Sequence, residues 1–191
     1  MFQPRPLRVL YVALLILFVV GELALIIRRR ARQGRVAADR GFFGRALLTL
    51  MVSNWVAVPC LRLFPTAAFG SLVTSGVGLA LLLSGLLLRW WSINQLGRFF
   101  TLDVAIVADQ RVVESGPYKL IRHPSYTGLL LVVLGIGLCF GNAVSLVVLV
   151  LPVAILLTRR IPVEEAALSS GLGAAYLSYM QRTKRLIPGV Y

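Results

Sequence analysis

Acidic residues, histidine and cysteine are all scarce in this 191-residue chain. It has 7 Asp plus Glu, one histidine (His123) and two cysteines, Cys60 and Cys139, that lie in apolar stretches. A structural zinc site needs about four Cys or His ligands, so the sequence excludes such a site, and it also excludes a disulfide framework. Charged residues make up only 14% against 58% hydrophobic residues. Because a soluble domain of this length could not bury so much apolar surface, the composition argues against a water-soluble globule.

Positive charge is in large excess, with 20 Lys plus Arg and a net charge of +13. An excess of this size often indicates nucleic-acid binding. Here, however, the basic residues lie between long apolar runs, which is typical of membrane topology and of contact with lipid headgroups. We therefore expect no nucleic-acid partner, and we expect anionic lipids at the most arginine-rich segment.

Five apolar segments have the length or composition of membrane helices, and we read the first as a retained helix rather than a removable signal. The last two are shorter than a full crossing and are separated only by Gly141 and Asn142, which predicts a tight helical hairpin. The five predicted segments are residues 7–27, 46–64, 70–91, 126–140 and 143–157.

The placement of arginine predicts how the helices are oriented. Segment 28–45 contains seven arginines and one acid, Asp39, whereas only Arg5, Arg8 and Arg62 lie at the opposite side. Because positively charged loops stay in the cytosol, we expect the N-terminus outside, and segment 28–45 and the polar C-terminal regions inside.

Small residues in the apolar segments indicate helix packing. Gly76, Ala80 and Ser84 form a row at four-residue spacing, which predicts close approach of another helix. The Gly-x-Gly pairs at residues 76–78 and 135–137 are also interpreted as packing glycines. They do not follow a strand, so they do not support a nucleotide-binding loop.

Glu22 lies within the first apolar segment. An acid at this depth is a candidate functional residue, although its position beside Gly21 and near the cytosolic end also suits snorkelling or a structural ion pair. We leave Glu22 outside the predicted site.

Most other polar residues fall in two regions, 94–126 and 159–191, both predicted on the cytosolic side. The first contains the sequence GPYKLIRHPSYTG, in which Pro124 suits the first position of a helix because its missing N–H costs nothing there. His123 precedes this proline and lies at the positive end of the helix. Together with Arg122 and free backbone N–H groups, His123 therefore predicts an anion site.

The second polar region begins where the hairpin ends, at Arg159 and Arg160. Pro162, Glu164 and Glu165 have the composition of a helix start, so we expect the chain to turn at Pro162 and a new helix to begin. This helix has an apolar stripe that suits packing against the bundle as a cap. The stripe consists of Leu168, Leu172, Tyr176 and Tyr179.

The segments RHPSYTG, then RRIPVEEAAL, then GAAYLSYMQRTKRLIPGVY resemble the isoprenylcysteine carboxyl methyltransferase family and related membrane phospholipid methyltransferases. The resemblance covers roughly residues 90–191, and the order and spacing together are more specific than any single segment. It implies an integral-membrane enzyme that binds S-adenosylmethionine in a cytosolic pocket of C-terminal helices and methylates a lipid-borne group.

The resemblance also implies roles for individual residues. Arg160 matches the position that contacts the acceptor, while Asp103 replaces a glutamine of animal members. An ionised carboxylate acceptor needs no general base, so Arg160 would orient it and the pocket would exclude water. The family's S-adenosylmethionine contacts fall on Gln110, Arg111, Val112, Val113, Tyr118, His123, Pro124, Ser125, Tyr126 and Glu164.

Simpler structural roles compete with these assignments. His123 also suits a helix N-cap, and Glu165 suits a favourable charge in the first turn of a helix. Arg159 suits a headgroup anchor while Arg160 turns toward the site. Tyr176 and Tyr179 are interpreted as packing or interfacial residues rather than cofactor contacts.

The sequence thus predicts an all-α integral membrane protein with about five transmembrane helices, a C-terminal hairpin and a cytosolic C-terminal helix that caps the cofactor pocket. Residues 1–68 would form a two-helix region and residues 69–191 the methyltransferase core. The expected reaction is transfer of a methyl group from S-adenosylmethionine to the carboxylate of a lipophilic acceptor that enters from the bilayer. The alternatives are a hydroxyl, thiol or amine acceptor, which would need a base such as His123, and a transporter or non-catalytic scaffold.

Overall fold

A computed structural model describes residues 5–30, 36–38, 41–107 and 109–191. The described chain contains helices and one small sheet, in which β1 (Val36–Ala38) pairs antiparallel with β2 (Val104–Ala105). The sequence did not predict this sheet. The helices are α1 (Arg5–Arg30), α2 (Phe42–Leu63), α3 (Leu72–Leu96), α4 (Pro124–Phe140), α5 (Ala143–Leu172) and α6 (Ala174–Arg182).

The apolar helices are those of a multi-pass membrane protein. By length and hydropathy α1, α2, α3 and α5 can each cross a membrane, and α4 is a shorter apolar helix of 17 residues. The predicted helical membrane fold is thereby confirmed. Arginines 32, 35 and 40 of segment 28–45 lie outside the described residues, and the orientation of the bundle stays a prediction, as does the division at residue 68.

The predicted hairpin between α4 and α5 is present. Gly141 ends α4 with a left-handed backbone (φ 65°), a conformation that favours glycine. The Asn142 side chain then accepts a 3.1 Å hydrogen bond from the backbone N–H of Ser145 and starts α5. The same side chain donates to the carbonyl of Phe64 at 2.8 Å, which ties the hairpin to the end of α2.

Helix α5 corrects one sequence prediction. It runs unbroken for 30 residues through Pro162, so the expected turn at Pro162 and the new helix at Glu164 are wrong. An internal proline removes one helical hydrogen bond, and membrane helices tolerate this loss when neighbouring groups compensate. At 1.5 Å per residue α5 is about 45 Å long, which exceeds a hydrocarbon core of about 30 Å. The separate C-terminal helix is therefore α6, which begins after Gly173.

Helices α3 and α4 contact each other through glycine, but not on the predicted face. A Cβ placed on Gly85 would lie 2.6 Å from the carbonyl oxygen of Gly128, and one on Gly135 would lie 2.5 Å from that of Gly78. The predicted row that begins at Gly76 is exposed instead, because residues two positions apart on a helix face in nearly opposite directions. The backbone contact fixes α4, whose start carries the candidate site, against α3.

Candidate active site

A cavity with polar and aromatic walls, the polar cavity, lies between the start of α4, the C-terminal part of α5, α6 and the segment from residue 96 to residue 118. Nine of the ten residues assigned to cofactor binding by resemblance line it, and the tenth, Pro124, is the buried first residue of α4. Their role as cofactor ligands stays a prediction. The nine are Gln110, Arg111, Val112, Val113, Tyr118, His123, Ser125, Tyr126 and Glu164.

The start of α4 holds two aromatic rings in a fixed arrangement. His123 is the N-cap residue, as predicted, although its side chain makes no capping hydrogen bond. Its ring stacks on that of Tyr126, with centroids 5.5 Å apart and planes inclined by 9°. The Tyr126 hydroxyl donates a 2.6 Å hydrogen bond to Oε2 of Glu164. Among the described residues that line the cavity Glu164 is the one acid, and this bond fixes its carboxylate relative to the rings.

The anion site predicted at Arg122 and His123 contains an anion of the chain itself. Glu165 is buried, and its carboxylate accepts hydrogen bonds from Arg122 at 2.8 Å and from Arg185 at 2.8 Å, while His123 Nε2 lies 3.4 Å away. The backbone N–H of Arg122 is also engaged, by the carbonyl of Lys184. The chain thus supplies an anionic partner for Arg122 and His123 itself, and the binding of an external anion at the start of α4 stays a prediction.

The same cluster corrects the role of Glu165. Instead of lying in the first turn of a helix, Glu165 lies in the C-terminal part of α5 and joins α5 to residues 183–191. Thr127 Oγ1 donates to the carbonyl of Leu186 at 2.8 Å, which attaches these residues to α4 as well. Residues 183–191 are thus attached to both α4 and α5, the helices that form part of the cavity wall.

Three buried tyrosines line the polar cavity beside Glu164. Burial raises the pKa of Tyr118 and of Tyr176, and the nearby negative charge of Glu164 raises both further. Burial raises the pKa of Tyr179 to about 12, and its hydroxyl donates to the carbonyl of Tyr118 at 2.8 Å. These phenols are therefore neutral at physiological pH and offer hydroxyl groups and aromatic faces rather than a base.

The sequence analysis gave Tyr176 and Tyr179 packing or interfacial roles. In the structure these two tyrosines line the polar cavity together with Leu168 and Leu172. The helical spacing of the four residues was therefore the feature of the sequence that could have placed the tyrosines in the site. The stripe that was expected to pack against the bundle thus also forms a wall of the candidate site.

A second cavity, the apolar cavity, has a volume of about 370 Å³ and lies among α1, α2, α4 and α5. Phe100, Thr101 and Tyr126 line both cavities, so the two meet there. Most of the wall is aliphatic or aromatic, and several lining residues of α1 and α2 have exposed side chains on the protein surface. These are Val19, Leu23, Met51 and Trp55.

An ion pair between Glu22 and Arg89 lies at the wall of the apolar cavity. The sequence analysis considered Glu22 but did not identify Arg89 as its partner. Arg89 donates from Nε to Glu22 Oε1 at 2.5 Å and from Nη2 to Oε2 at 2.7 Å. Its Nη1 donates to the carbonyl oxygen of Ser125 at 3.2 Å. The structural ion pair considered for Glu22 is present. A cation in one apolar segment and an acid in another was the signal that could have identified Arg89.

Arg160 is buried while Arg159 is exposed, as expected for a residue that turns inward beside a headgroup anchor. The Arg160 guanidinium lies 4.3 Å from the centroid of Phe42, which lines the apolar cavity. Its Nε is 3.9 Å from Oε2 of Glu164. Because α5 is continuous, Arg160 and Glu164 lie on one helix and not on adjoining helices, and of the two only Glu164 lines the polar cavity.

Asp103 contributes to the framework of the site. Its Oδ1 accepts a 3.0 Å hydrogen bond from the backbone N–H of Gly41, the residue before α2. Asp103 also precedes β2 directly, so it anchors the loop that carries Thr101 to the start of α2.

Comparison with known proteins agrees with this arrangement. The model of the isoprenylcysteine carboxyl methyltransferase (ICMT) family matches residues 78–170. This segment contains most of α3, all of α4 and nearly all of α5, and it includes every residue from Gln110 to Glu164 around the polar cavity. The chain is similar to this family over that segment. The resemblance noted from the sequence is thereby confirmed.

Individual relatives extend the match. Protein-S-isoprenylcysteine O-methyltransferase B of Arabidopsis thaliana is 33% identical over 118 residues, which are 61% of this chain and 60% of the relative. Protein-S-isoprenylcysteine O-methyltransferase of Schizosaccharomyces pombe is 34% identical over 137 residues, 69% of this chain and 57% of the relative. The chain therefore spans about 60% of the length of these isoprenylcysteine carboxyl methyltransferase relatives.

A solved structure supports the family fold over nearly the whole chain. The structure of the eukaryotic intramembrane Ras methyltransferase ICMT superposes with a TM-score of 0.70 at 26% identity. It covers 94% of this chain and 65% of the other. Both α1 and α2, which precede the segment matched by the family model, thus belong largely to the shared isoprenylcysteine carboxyl methyltransferase fold.

Proposed function

We propose that this protein is an S-adenosylmethionine-dependent membrane methyltransferase that methylates the carboxylate of a lipophilic, isoprenylcysteine-like acceptor. The observation that carries the proposal is the meeting of a polar cavity and an apolar cavity at Tyr126. A polar methyl donor and a lipophilic acceptor need such a pair of adjoining sites. The names of the relatives support the reaction class.

The polar cavity has the chemistry that S-adenosylmethionine requires. This cofactor carries a sulfonium, an ammonium, a carboxylate and an adenine ring. The Glu164 carboxylate suits the cationic groups, and the faces of Tyr118, Tyr126 and Tyr176 suit the adenine ring and the sulfonium. When bound, S-adenosylmethionine would supply an electrophilic methyl group, to which the acceptor oxygen would bond in line while the carbon–sulfur bond breaks and S-adenosylhomocysteine leaves.

Local contacts prepare these side chains for binding. The Tyr126–Glu164 hydrogen bond holds the carboxylate at the cavity wall, and the stacked His123 ring holds Tyr126. Gln110 bonds its own loop, since its Oε1 accepts from the backbone N–H of Val107 at 2.8 Å. Such preorganisation lowers the cost of binding because fewer side-chain rotamers must be fixed.

The apolar cavity suits the acceptor's hydrocarbon chain. Val19 and Leu23 of α1 and Met51 and Trp55 of α2 line this cavity and are exposed on the apolar outer surface. An acceptor dissolved in the bilayer would enter between these two helices and leave its polar end near Tyr126. Burial of its chain would supply about 0.8 kcal/mol per methylene group.

Two arginines suit the acceptor's carboxylate. Arg89 lines the apolar cavity directly, and Arg160 lies beside it across the Phe42 ring. An ionised carboxylate is itself a nucleophile, so the site has to orient it and exclude water rather than remove a proton. The neutral tyrosines of the polar cavity agree with a reaction without a general base.

A neutral hydroxyl, thiol or amine acceptor would place a different demand on the site. His123 would have to act as the base, but its Nε2 faces Glu165 and its ring is stacked on Tyr126. A carboxylate acceptor makes no such demand on His123, because it is already ionised.

Titration of the purified protein with S-adenosylmethionine in a calorimeter separates an enzyme from a transporter or a scaffold. We expect saturable binding at one site that weakens when Glu164 is replaced by Gln. Replacement of the exposed residue Glu114 by Gln, which leaves the cavity intact, serves as the control. Absence of binding by folded wild-type protein would contradict the proposal.

A further inference from the structure

The contact between Glu22 and Arg89 has the geometry with which a guanidinium recognises a carboxylate. Its two hydrogen bonds run side by side, from Nε to Oε1 and from Nη2 to Oε2, at 2.5 and 2.7 Å. The Nε–Nη2 edge of Arg89 is therefore the edge that a substrate carboxylate would use. In this structure the chain's own carboxylate uses it.

The pair also lies at the place where the acceptor's polar end belongs. Glu22 and Arg89 both line the apolar cavity. Arg89 is joined through Nη1 to the carbonyl of Ser125, the residue before Tyr126, and Tyr126 lies where the two cavities meet. A carboxylate bound to the Nε–Nη2 edge of Arg89 would thus lie near that junction.

Burial makes the pairing of Arg89 obligatory. The side chains of Arg89 and Glu22 are only 6% and 8% exposed. A buried arginine at membrane depth is stable only with an anionic partner. One carboxylate can satisfy this demand as well as another, so an acceptor carboxylate can replace Glu22 when the Glu22 side chain turns toward the nearby end of α1, where water and headgroups solvate its charge.

We propose that Glu22 is a place-holder for the acceptor's carboxylate: it pairs with Arg89 in the free enzyme and must give up that edge when the acceptor binds. The inference rests on the proposed function. Glu22 then sets the apparent affinity for the acceptor, because each binding event must displace an internal competitor.

The test compares two soluble probes, an N-acetylated S-farnesylcysteine and its carboxamide, on the full purified chain. In the Glu22→Gln protein Arg89 lacks its anionic partner, so the carboxylate probe should raise the thermal midpoint more than it does in wild type. The carboxamide, which has no charge to offer, should raise both midpoints equally. Equal stabilisation of the Glu22→Gln protein by the two probes would overturn the proposal.

Kinetics give a second readout. The KM of Glu22→Gln for the carboxylate probe should fall at least about threefold, while the Kd for S-adenosylmethionine stays within about twofold of wild type. The matched control is Glu114→Gln, which removes a carboxylate from the exposed pair with Arg182 and should change neither constant. A KM at or above the wild-type value would show that Glu22 serves only the fold.

If Glu22→Gln does not fold, Glu22→Asp provides the test. The shorter side chain keeps the charge but reaches Arg89 less well, so the KM should fall in the same direction by a smaller factor, and an unchanged KM would contradict the inference. Failure of the proposed function has a different result, because wild type itself would then not methylate the carboxylate probe.

Discussion

The hydroxyl of Tyr126 donates a 2.6 Å hydrogen bond to Glu164, and this contact joins the first turn of α4 to α5 at the wall of the polar cavity. Tyr126 also lines the apolar cavity, so one side chain borders both candidate substrate sites. The position of Glu164, the proposed carboxylate ligand of the cofactor, therefore depends on Tyr126, the residue that would lie between cofactor and acceptor.

Removal of this hydrogen bond should weaken cofactor binding moderately. In Tyr126→Phe the ring stays stacked on His123, and the hydrogen bond to Glu164 is lost, at a cost of about 1 kcal/mol. Glu164→Gln removes the charge and should cost on the order of 1 to 3 kcal/mol in S-adenosylmethionine binding. Calorimetric affinities equal to wild type for both folded variants would remove Glu164 from the site.

Arg160 should act on the acceptor rather than on the cofactor. Arg160→Lys keeps the positive charge but loses the planar fork, so turnover at low acceptor concentration should fall steeply while the affinity for S-adenosylmethionine changes little. Arg159→Lys, at the exposed neighbouring position, is the matched control. A variant whose sole defect is in cofactor affinity would assign Arg160 to the polar cavity.

The α3–α4 contact should not tolerate a methyl group. In Gly85→Ala the new Cβ would lie 2.6 Å from the Gly128 carbonyl oxygen, so the helices must separate, at a cost of roughly 1 to 3 kcal/mol. Gly76→Ala places its Cβ where no heavy atom lies within 4 Å and should leave stability nearly unchanged. Thermal unfolding in one detergent compares the two, and equal midpoints would argue against the observed packing face.

Glu165 should hold residues 183–191 against α4 and α5. Glu165→Gln leaves Arg122 and Arg185 without their shared carboxylate, and breaking a buried pair costs roughly 3 to 5 kcal/mol. We expect faster trypsin cleavage after Lys184 and Arg185 than in wild type. Glu114→Gln at the exposed pair should show wild-type cleavage, and an unchanged rate in Glu165→Gln would mean that other contacts hold these residues.

Local signals in the sequence were sufficient for the start of α4 and for the α4–α5 hairpin. Pro124 sets the first, and Gly141 with Asn142 sets the second, because each acts through its own backbone conformation or side-chain cap. Motif resemblance correctly brought Gln110, Tyr118 and Glu164 to one cavity, although these residues are far apart in the chain.

Relationships between distant segments could not be predicted in this way. The Glu22–Arg89 pair joins residues that are 67 positions apart, and a periodic pattern does not indicate which buried charges meet. Pro162 was expected to end a helix, but the tertiary surroundings of α5 maintain the helix through it. Gly76 and Gly78 lie on different faces of α3, and because both are glycines the sequence does not show which face packs against another helix. The position of α4 in the fold determines that Gly78 lies in the contact.

The central claim concerns which atom receives the methyl group, and the base lability of the product tests it most directly. Purified protein would be supplied with S-adenosylmethionine labelled in the methyl group and with the N-acetylated S-farnesylcysteine or its carboxamide. The account predicts a labelled product from the carboxylate probe alone, and release of the label as volatile methanol after mild alkali, as expected for a methyl ester. A base-stable product, or equal labelling of the carboxamide, would contradict a carboxylate acceptor.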